Sequence, residues 1–379
     1  MRVFFNAIIV QIFLSAYIYW RGWQGLPDKK YIKIPYASIY IIELIIYFIG
    51  FFTSKYLPFD ALHWFAWTGT TWMVFTIYMT VLLLLYDLFK YIDRKKKIFP
   101  LSLSLRAKKP RLIYFCLSVL LVSGVMAYGN YRFYHPVVTE MNLSIKKDSP
   151  NIKDLRIVVA SDLHAGYLID KKIISMYVDK IMEQKPDIIL LVGDIIDYDI
   201  QSLYEQKMET EFLRLKAPYG VYGVTGNHEY IDLGEGVEVR MKWLNDKASI
   251  TLLRDTSVLI DNSFYLVGRE DDKCKDRKSL PEIMSGVDKN YPVIVMNHEP
   301  HRLQEEVDAS ADIALYGHTH NGQLFPNNIL IHCMYELGFG YKQKENTHIY
   351  VSSGLGLAGP QYRIGTISEV VVLNVKFEK

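Results

Sequence analysis

The sequence predicts an α/β sandwich of two packed sheets, preceded by an α-helical membrane domain of four spans. Three observations carry that prediction. The first third of the 379 residues gathers Ile, Leu, Phe, Trp and Tyr into four long runs, whereas the rest alternates short apolar runs with charged ones. After residue 153, strand-length apolar runs first alternate with segments of helical spacing, which is the pattern of parallel βαβ units. Further on, the strand-like runs follow one another more closely, which predicts a second, mixed sheet. The domains so read are 1–129 (membrane), 130–153 (linker and edge strand) and 154–379.

The four apolar runs cover 3–20, 36–53, 62–86 and 112–128. Each is close to the ~20 residues that a helix needs to cross hydrocarbon. Trp20, Trp23, Trp64 and Trp67 sit near their ends, as in an aromatic belt. The first run is long and has Tyr17, Tyr19 and Trp20 where small residues would precede a signal-peptide cut, so it reads as an uncleaved helix. Basic residues fill the loops after the first run (Arg21, Lys29, Lys30, Lys33) and after the third (Lys90, Arg94, Lys95, Lys96, Lys97, Arg106, Lys108, Lys109, Arg111). The loop after the second run has only Lys55. The positive-inside tendency then places the first and third loops in the cytoplasm and the C-terminal domain on the extracytoplasmic face of the inner membrane. Glu43 is the one charge inside the second run. It reads either as an intramembrane carboxylate facing a cavity or partner, or as a residue near the interface or paired with a tyrosine.

A net charge of +2 and the lack of a basic stripe in the C-terminal part exclude a nucleic-acid partner. Cys274 and Cys333 could pair in an oxidising compartment, but three cysteines, with Cys116 in an apolar run, make no disulfide framework, and free thiols are the favoured reading.

In the C-terminal domain, 137–145 reads as an edge strand and 155–160 as a strand buried on both faces. Helical spacing over 170–184 leads to a second buried strand at 187–192. A helix over 203–215 and a strand at 219–224 come next, then a helix over 236–245. Strands at 249–253, 257–260, 264–267, 292–296, 313–316, 348–352 and 369–375 complete the series. Five polar motifs fall directly after strands. They are Asp162-Leu163-His164, Gly193-Asp194-Ile195-Ile196-Asp197, Gly226-Asn227-His228-Glu229, Asn297-His298-Glu299 and Gly317-His318-Thr319-His320. They hold five of the ten histidines. Ligands of open α/β sheets bind outside the carboxyl ends of the strands, so five loops at one rim can converge.

Carboxylate oxygen with imidazole nitrogen suits Mn, Fe or Zn better than Ca or a thiolate-preferring metal. Gly193 lets the chain turn tightly and bring Asp194 inward, where its carboxylate can bridge two cations. Two aspartates, one asparagine and four histidines are too many ligands for one ion and about right for two. Two cations about 3.5–4 Å apart clamp an in-line displacement at phosphorus. A water bridging them loses a proton near neutral pH and becomes the nucleophile. His228 is then the spare imidazole, fit to act as acid toward the leaving alkoxide. Asp197 can orient an imidazole. Arg363, after a Gly-rich loop, is a candidate phosphate contact. Arg269 and Glu270 either touch substrate or lie at the surface. His63, His135, His332 and His348 belong to no motif and read as structural or surface residues.

The five motifs, in this order, resemble the calcineurin-like metallophosphoesterase superfamily. The resemblance covers 154–375 and implies a four-layer αββα sandwich. It also implies that Asp162, His164, Asp194 and His320 hold one metal and that Asp194, Asn227, His298 and His318 hold the other, with His228 catalytic. The stretches 317–323 and 352–356 are similar to a bacterial subgroup with N-terminal membrane helices or a signal, which includes enzymes acting on phospholipids or lipid-linked nucleotide sugars. Asn321 departs from the Gly often found there, which bears on loop geometry only.

These readings imply a membrane-anchored hydrolase that uses two divalent metal ions on a phosphodiester, with a lipid or envelope substrate. Two alternatives stand beside it: a cytoplasm-facing pyrophosphatase on a nucleotide-linked lipid sugar such as UDP-diacylglucosamine, and a non-catalytic membrane scaffold stabilised by metal.

Overall fold

A computed structural model describes residues 2–53, 57–96, 107–231, 234 and 236–378. Lys55, Lys97 and Arg106, which entered the loop-charge reading, lie outside the described residues. The chain divides into two compact units, Met1–Asn130 and Tyr131–Lys379.

The first unit is built on four helices: α1 (Arg2–Gly25), α2 (Lys30–Thr53), α3 (Phe59–Lys96) and α4 (Lys108–Tyr134). Among the described residues, α3 and α4 are long and apolar enough to cross a membrane. Polar side chains inside the unit pair with one another. Tyr17 donates to Asp87 at 2.7 Å, Arg21 pairs with the same carboxylate, and Thr76 donates to Gln11 at 3.1 Å. Glu43 lines a cavity of about 250 Å³ together with Gln11, Ser15, Tyr40 and Trp72.

The second unit takes its layers from strand alternation. Its strands are β1 (Val137–Ile145), β2 (Asp154–Ala160), β3 (Ile188–Val192), β4 (Val221–Val224), β5 (Thr251–Leu252), β6 (Thr256–Ile260), β7 (Phe264–Gly268), β8 (Val293–Met296), β9 (Ile313–Tyr316), β10 (Gly340–Lys344), β11 (Thr347–Val351) and β12 (Glu369–Phe377). Its helices are α5 (Lys171–Met182), α6 (Gln201–Gln206), α7 (Glu209–Phe212), α8 (Val237–Lys242), α9 (Leu280–Met284), α10 (Leu303–Asp308) and α11 (Asn327–Met334).

One sheet runs β1-β12-β2-β3-β4-β5 and the other β10-β11-β9-β8-β7-β6. Both are mixed. In the first, β12 is antiparallel to β2 while β2, β3, β4 and β5 run parallel. In the second, β7, β8, β9 and β11 run parallel between antiparallel β6 and β10. Successive strand side chains point to opposite faces. Ile157 and Val159 of β2 therefore join Leu266, Ile294 and Leu315 in the core between the sheets. Val158 and Ala160 turn outward to Ile174, Tyr177 and Ile181 of α5. On the far side, Val293 and Val295 meet Leu280 and Ile283 of α9. The result is a four-layer α/β/β/α sandwich.

The sequence reading has no counterpart of β10, α9, α10 or α11, and two helices that it does contain take another form. The single helix over 203–215 is broken into α6 and α7, because Lys207 caps α6 in the left-handed conformation at φ 51°. The expected helix over 236–245 ends as α8 and continues into a π-helical turn, Trp243–Lys247. The three cysteines are free.

Candidate metal centre

Strands β2, β3 and β4 of one sheet and β8 and β9 of the other all end at one rim. The loops leaving them carry Asp162 and His164, Asp194, Asn227 and His228, His298, and His318 and His320. The structure brings them together. Ligand atoms of Asp162, His164 and His320 lie within 4.8 Å of one another, as do those of Asp194, His298 and His318, and those of His164, Asp194 and His228.

Asp194 stands between the groups. Its Oδ2 is 3.2 Å from His298 Nε2 and 3.6 Å from His164 Nε2, while its Oδ1 accepts the His228 backbone N–H at 2.8 Å. Asp162 Oδ1 is 3.6 Å from His320 Nε2 and 3.9 Å from His298 Nε2, and accepts the His318 N–H at 3.0 Å. Asn227 Oδ1 lies 2.8 Å from His318 Nδ1. His164 Nε2 and His320 Nε2 face each other at 3.2 Å.

Three observations fit this cluster to cations. First, His298 Nδ1 donates to the Val192 carbonyl at 2.9 Å, so in the neutral ring Nε2 carries the lone pair. That buried nitrogen has no hydrogen-bond partner and faces a carboxylate. Two acceptors in contact need a positive charge between them, supplied by a proton or a metal. Second, the rings of the fifth motif are held neutral, as ligation requires. Burial, with His298 nearby, lowers His318 to about 4; burial and His164 push His320 well below the usual imidazole range. His298 moves the other way. Burial opposes its charge, but the Asp194 carboxylate outweighs burial and holds it well above the usual value.

Third, the backbone is strained at the ligands. Asp162, His164, Asp194, His318 and His320 have φ between 48° and 70°. Each such non-glycine residue costs about 1–3 kcal/mol and persists where the surroundings over-determine it. The motif glycines clear the space. A Cβ on Gly226 would lie 2.2 Å from Asp194 Oδ1, and one on Gly317 would lie 2.5 Å from Asp162 Oδ2. Gly226→Ala is therefore expected to displace Asp194 and cost about 1–3 kcal/mol, as overpacking does. Thermal unfolding together with metal analysis checks this.

His228 lies beside the cluster and is partly open to solvent. Its Nδ1 donates to Asp197 Oδ1 at 2.6 Å. Burial works against its charge, yet the Asp197 hydrogen bond and the Asp194 and Asp197 charges carry its pKa up to about 9. Asp197 is thus placed to orient an imidazole. Its own carboxyl is held below the usual range, because His164 and His228 outweigh its burial.

Arg363 corrects the sequence reading. Its side chain is fully buried, and its guanidinium donates to the carbonyls of His320 at 3.1 Å, Gly354 at 2.9 Å and Gly356 at 2.5 Å, and to Ser368 Oγ at 3.2 Å. With its donors turned to these carbonyls and to Ser368, it braces the His320 turn from within the fold instead of presenting its guanidinium at the surface. Arg269 and Glu270 are likewise buried. Arg269 pairs with Glu305 at 2.7 Å, and Glu270 accepts from Thr225 at 2.7 Å and Tyr230 at 2.6 Å.

The sequence reading gave Glu229 no role, and the structure does. Its buried carboxylate accepts the backbone N–H groups of Asp194 at 3.0 Å, Ile196 at 2.7 Å and Gly226 at 2.7 Å. It therefore clamps the Asp194 loop to the Gly226 loop. Burial and the Asp194 charge push it up to about 8, against the pull of the Ile196 and Gly226 N–H groups. Its place closing the Gly-Asn-His-Glu tetrad was the available signal.

Residues 155–322 match the family model of the calcineurin-like phosphoesterases. An uncharacterized metallophosphoesterase of Aquifex aeolicus is 30% identical over 261 residues, covering 66% of this chain and 95% of that protein. The chain belongs to the calcineurin-like phosphoesterases. One uncharacterized metallophosphoesterase of the family, from Campylobacter jejuni, is 29% identical over 401 residues, covering 99% of each chain. A transmembrane protein with metallophosphoesterase domain from Bos taurus is 27% identical over 287 residues, covering 70% of this chain and 62% of that protein.

Proposed function

We propose that this chain is a membrane-anchored phosphoesterase with two divalent cations, Mn, Fe or Zn. We further propose that it hydrolyses a phosphodiester of a lipid or envelope substrate. The observation that carries the reading is Asp194 Oδ2, which lies between the Nε2 atoms of His298 and His164, with the His298 nitrogen otherwise unpartnered. One carboxylate shared by two imidazole-bearing groups suits two cations, with Asp162, His164, Asp194 and His320 on one and Asp194, Asn227, His298 and His318 on the other. Bound cations would supply Lewis-acid charge to the phosphate oxygens and lower the pKa of a water at the site.

The chain's own groups do the rest. His228 donates through Nδ1 to Asp197, which leaves Nε2 as the atom that hands a proton to the departing alkoxide. Cations held by the adjacent residues would oppose the imidazolium charge and so lower the His228 pKa. Asp197 keeps the ring in one tautomer and orientation. Glu229 and Arg363 fix the backbone of the Asp194 and His320 loops.

Chelation is the first test. Treating the full chain with a chelator should abolish hydrolysis of bis(p-nitrophenyl) phosphate, and Mn²⁺ should restore it. If cation is present at 100 times its dissociation constant, reloading adds about 2.7 kcal/mol of stability. Activity that survives complete metal removal contradicts the reading.

All four N-terminal helices are proposed to span, with the catalytic unit extracytoplasmic. The support is the distribution of basic residues in the loops and the length and apolarity of α3 and α4. A C-terminal phosphatase-or-fluorescent-protein reporter pair tests the side.

A further inference from the structure

Helix α11 follows the His320 turn and has an unusual surface. Ile329, Leu330 and Met334 are 52%, 58% and 73% exposed, and Phe325, just ahead of the helix, is 50% exposed. At 100° per residue, Ile329, Leu330, Cys333 and Met334 fall within one face of about 140°. The free Cys333 on that face is exposed as well. None of the residues of α11 is buried. Across residues 323–335 there is no Asp, Glu, Lys or Arg, in a chain where these make up 22%. A partner recognised by charge finds nothing to pair with here. Contiguous exposed apolar surface of this kind marks an interaction site.

The helix is anchored to the metal centre at both ends. Its first turn packs on the His320–Gly322 turn, where a Cβ on Gly322 would lie 2.4 Å from the Asn328 nitrogen. Ile331 packs against Gly338, whose carbonyl accepts the Thr319 hydroxyl at 2.6 Å, between His318 and His320 in sequence. Beyond its C-terminus, Tyr335 stacks on His301 with ring centroids 5.3 Å apart. The His301 ring lies 6.1 Å from that of His318. Displacing α11 thus acts on the loop that carries two candidate ligands.

We infer that α11, with Phe325, is an interfacial membrane contact: its apolar face enters the headgroup–acyl boundary of a bilayer and holds the metal centre at lipid phosphates. An amphipathic helix with Leu, Ile and Phe on one face lies in the interface plane in this way. Polar positions complete the picture, since Asn327 and His332 are exposed and uncharged Asn and His tolerate the headgroup layer. The bilayer is the favoured occupant because the same chain carries two helices long and apolar enough to cross one, which, spanning as proposed, would tether the second unit at a membrane surface. The inference rests on the lipid-phosphodiester reading for its catalytic consequence but not for the contact itself.

The test uses the full chain in phosphatidylcholine–phosphatidylglycerol vesicles. Cys116 and Cys274 are replaced by Ser, and Cys333 carries an environment-sensitive nitrobenzoxadiazole label. Ser285→Cys, exposed on the far side of α9, carries the label in a control with Cys333 also replaced. The expected result is blue-shifted emission at Cys333, quenched by lipids with a nitroxide near the headgroup and shielded from iodide, while the control is quenched by iodide only. Ile329→Ser, Leu330→Ser and Met334→Ser together should abolish the lipid quenching with metal content unchanged. They should raise KM for a vesicle-borne phosphodiester while leaving bis(p-nitrophenyl) phosphate turnover as before. Iodide quenching at Cys333 overturns the inference, as does equal lipid quenching at both sites. A blue shift without lipid quenching, which signals a second copy of the chain on this face, overturns it too. If bis(p-nitrophenyl) phosphate is not hydrolysed at all, the phosphoesterase reading fails while the label still reports on the contact.

Discussion

Asp194→Asn is expected to leave a folded protein that holds no more than one equivalent of metal and has lost nearly all its activity. The amide retains an oxygen to accept the His228 N–H, which Asp194 Oδ1 accepts at 2.8 Å, so the loop keeps its shape. What it loses is the charge at Oδ2, between His298 and His164. Altering residues that merely support metal ligands costs about 10–100-fold, so removing the shared ligand should cost more than about 10²-fold in kcat/KM. The apo protein should not be destabilised comparably. In the metal-free state Asp194 is paired with His298, but the pair is fully buried, and the desolvation of a buried pair offsets most of what the pairing contributes. The thermal shift that metal produces in the unsubstituted protein should largely vanish. Atomic-emission metal counts, kcat/KM and unfolding curves with and without Mn²⁺ check these points.

His228→Ala is expected to separate ligand from acid. His164, Asp194 and His228 also lie close enough to hold an ion, so the geometry admits His228 as a ligand. If it is the acid, metal content stays at two and the rate falls by about 10²–10⁴-fold for an alkyl leaving group, the usual worth of a positioned acid. The loss should be smaller for nitrophenolate, which departs without help. Metal loss in this variant would reassign the residue. Asp197→Asn gives the companion result in pH. The Asp197 hydrogen bond and charge raise the His228 pKa, and the acid form exists below it. Removing the carboxylate destabilises the imidazolium, lowers its pKa and moves the alkaline limb of the pH–rate profile to lower pH. A profile that does not move would show that His228 is not the group whose ionisation limits the rate.

The convergence of the candidate ligands was legible because strand ends are legible. The apolar runs of β2, β3, β4, β8 and β9 each stop where a motif begins, and loops at the carboxyl ends of strands converge whatever the detailed packing. The alternation that splits Ile157 and Val159 from Val158 and Ala160 was present in the composition of the strands. It did not say which face met which layer. Arg363 was misread because a guanidinium beside a Gly-rich loop suits phosphate and backbone carbonyls equally. Only burial and the direction of its donors decide between them. Arg269 and Glu270 failed the same way, since charged residues after a strand are usually exposed and these two found partners in α10 and β4's neighbours. Glu229 was hidden because its partners are backbone N–H groups, which leave no mark on a sequence. The left-handed backbone at five candidate ligands was hidden as well, since Asp and His adopt positive φ more often than most residues but still in a small minority of cases. Helix α11 escaped notice because eight residues with half-exposed apolar side chains show neither the period of a packed helix nor the length of a span.

The central claim, two cations sharing Asp194, is tested most directly by low-temperature electron paramagnetic resonance during Mn²⁺ titration of the metal-free full chain. The account predicts that the second equivalent converts an isolated Mn²⁺ spectrum into that of an exchange-coupled pair, as a shared carboxylate requires. Isolated six-line spectra through two equivalents, or saturation at one, would contradict it.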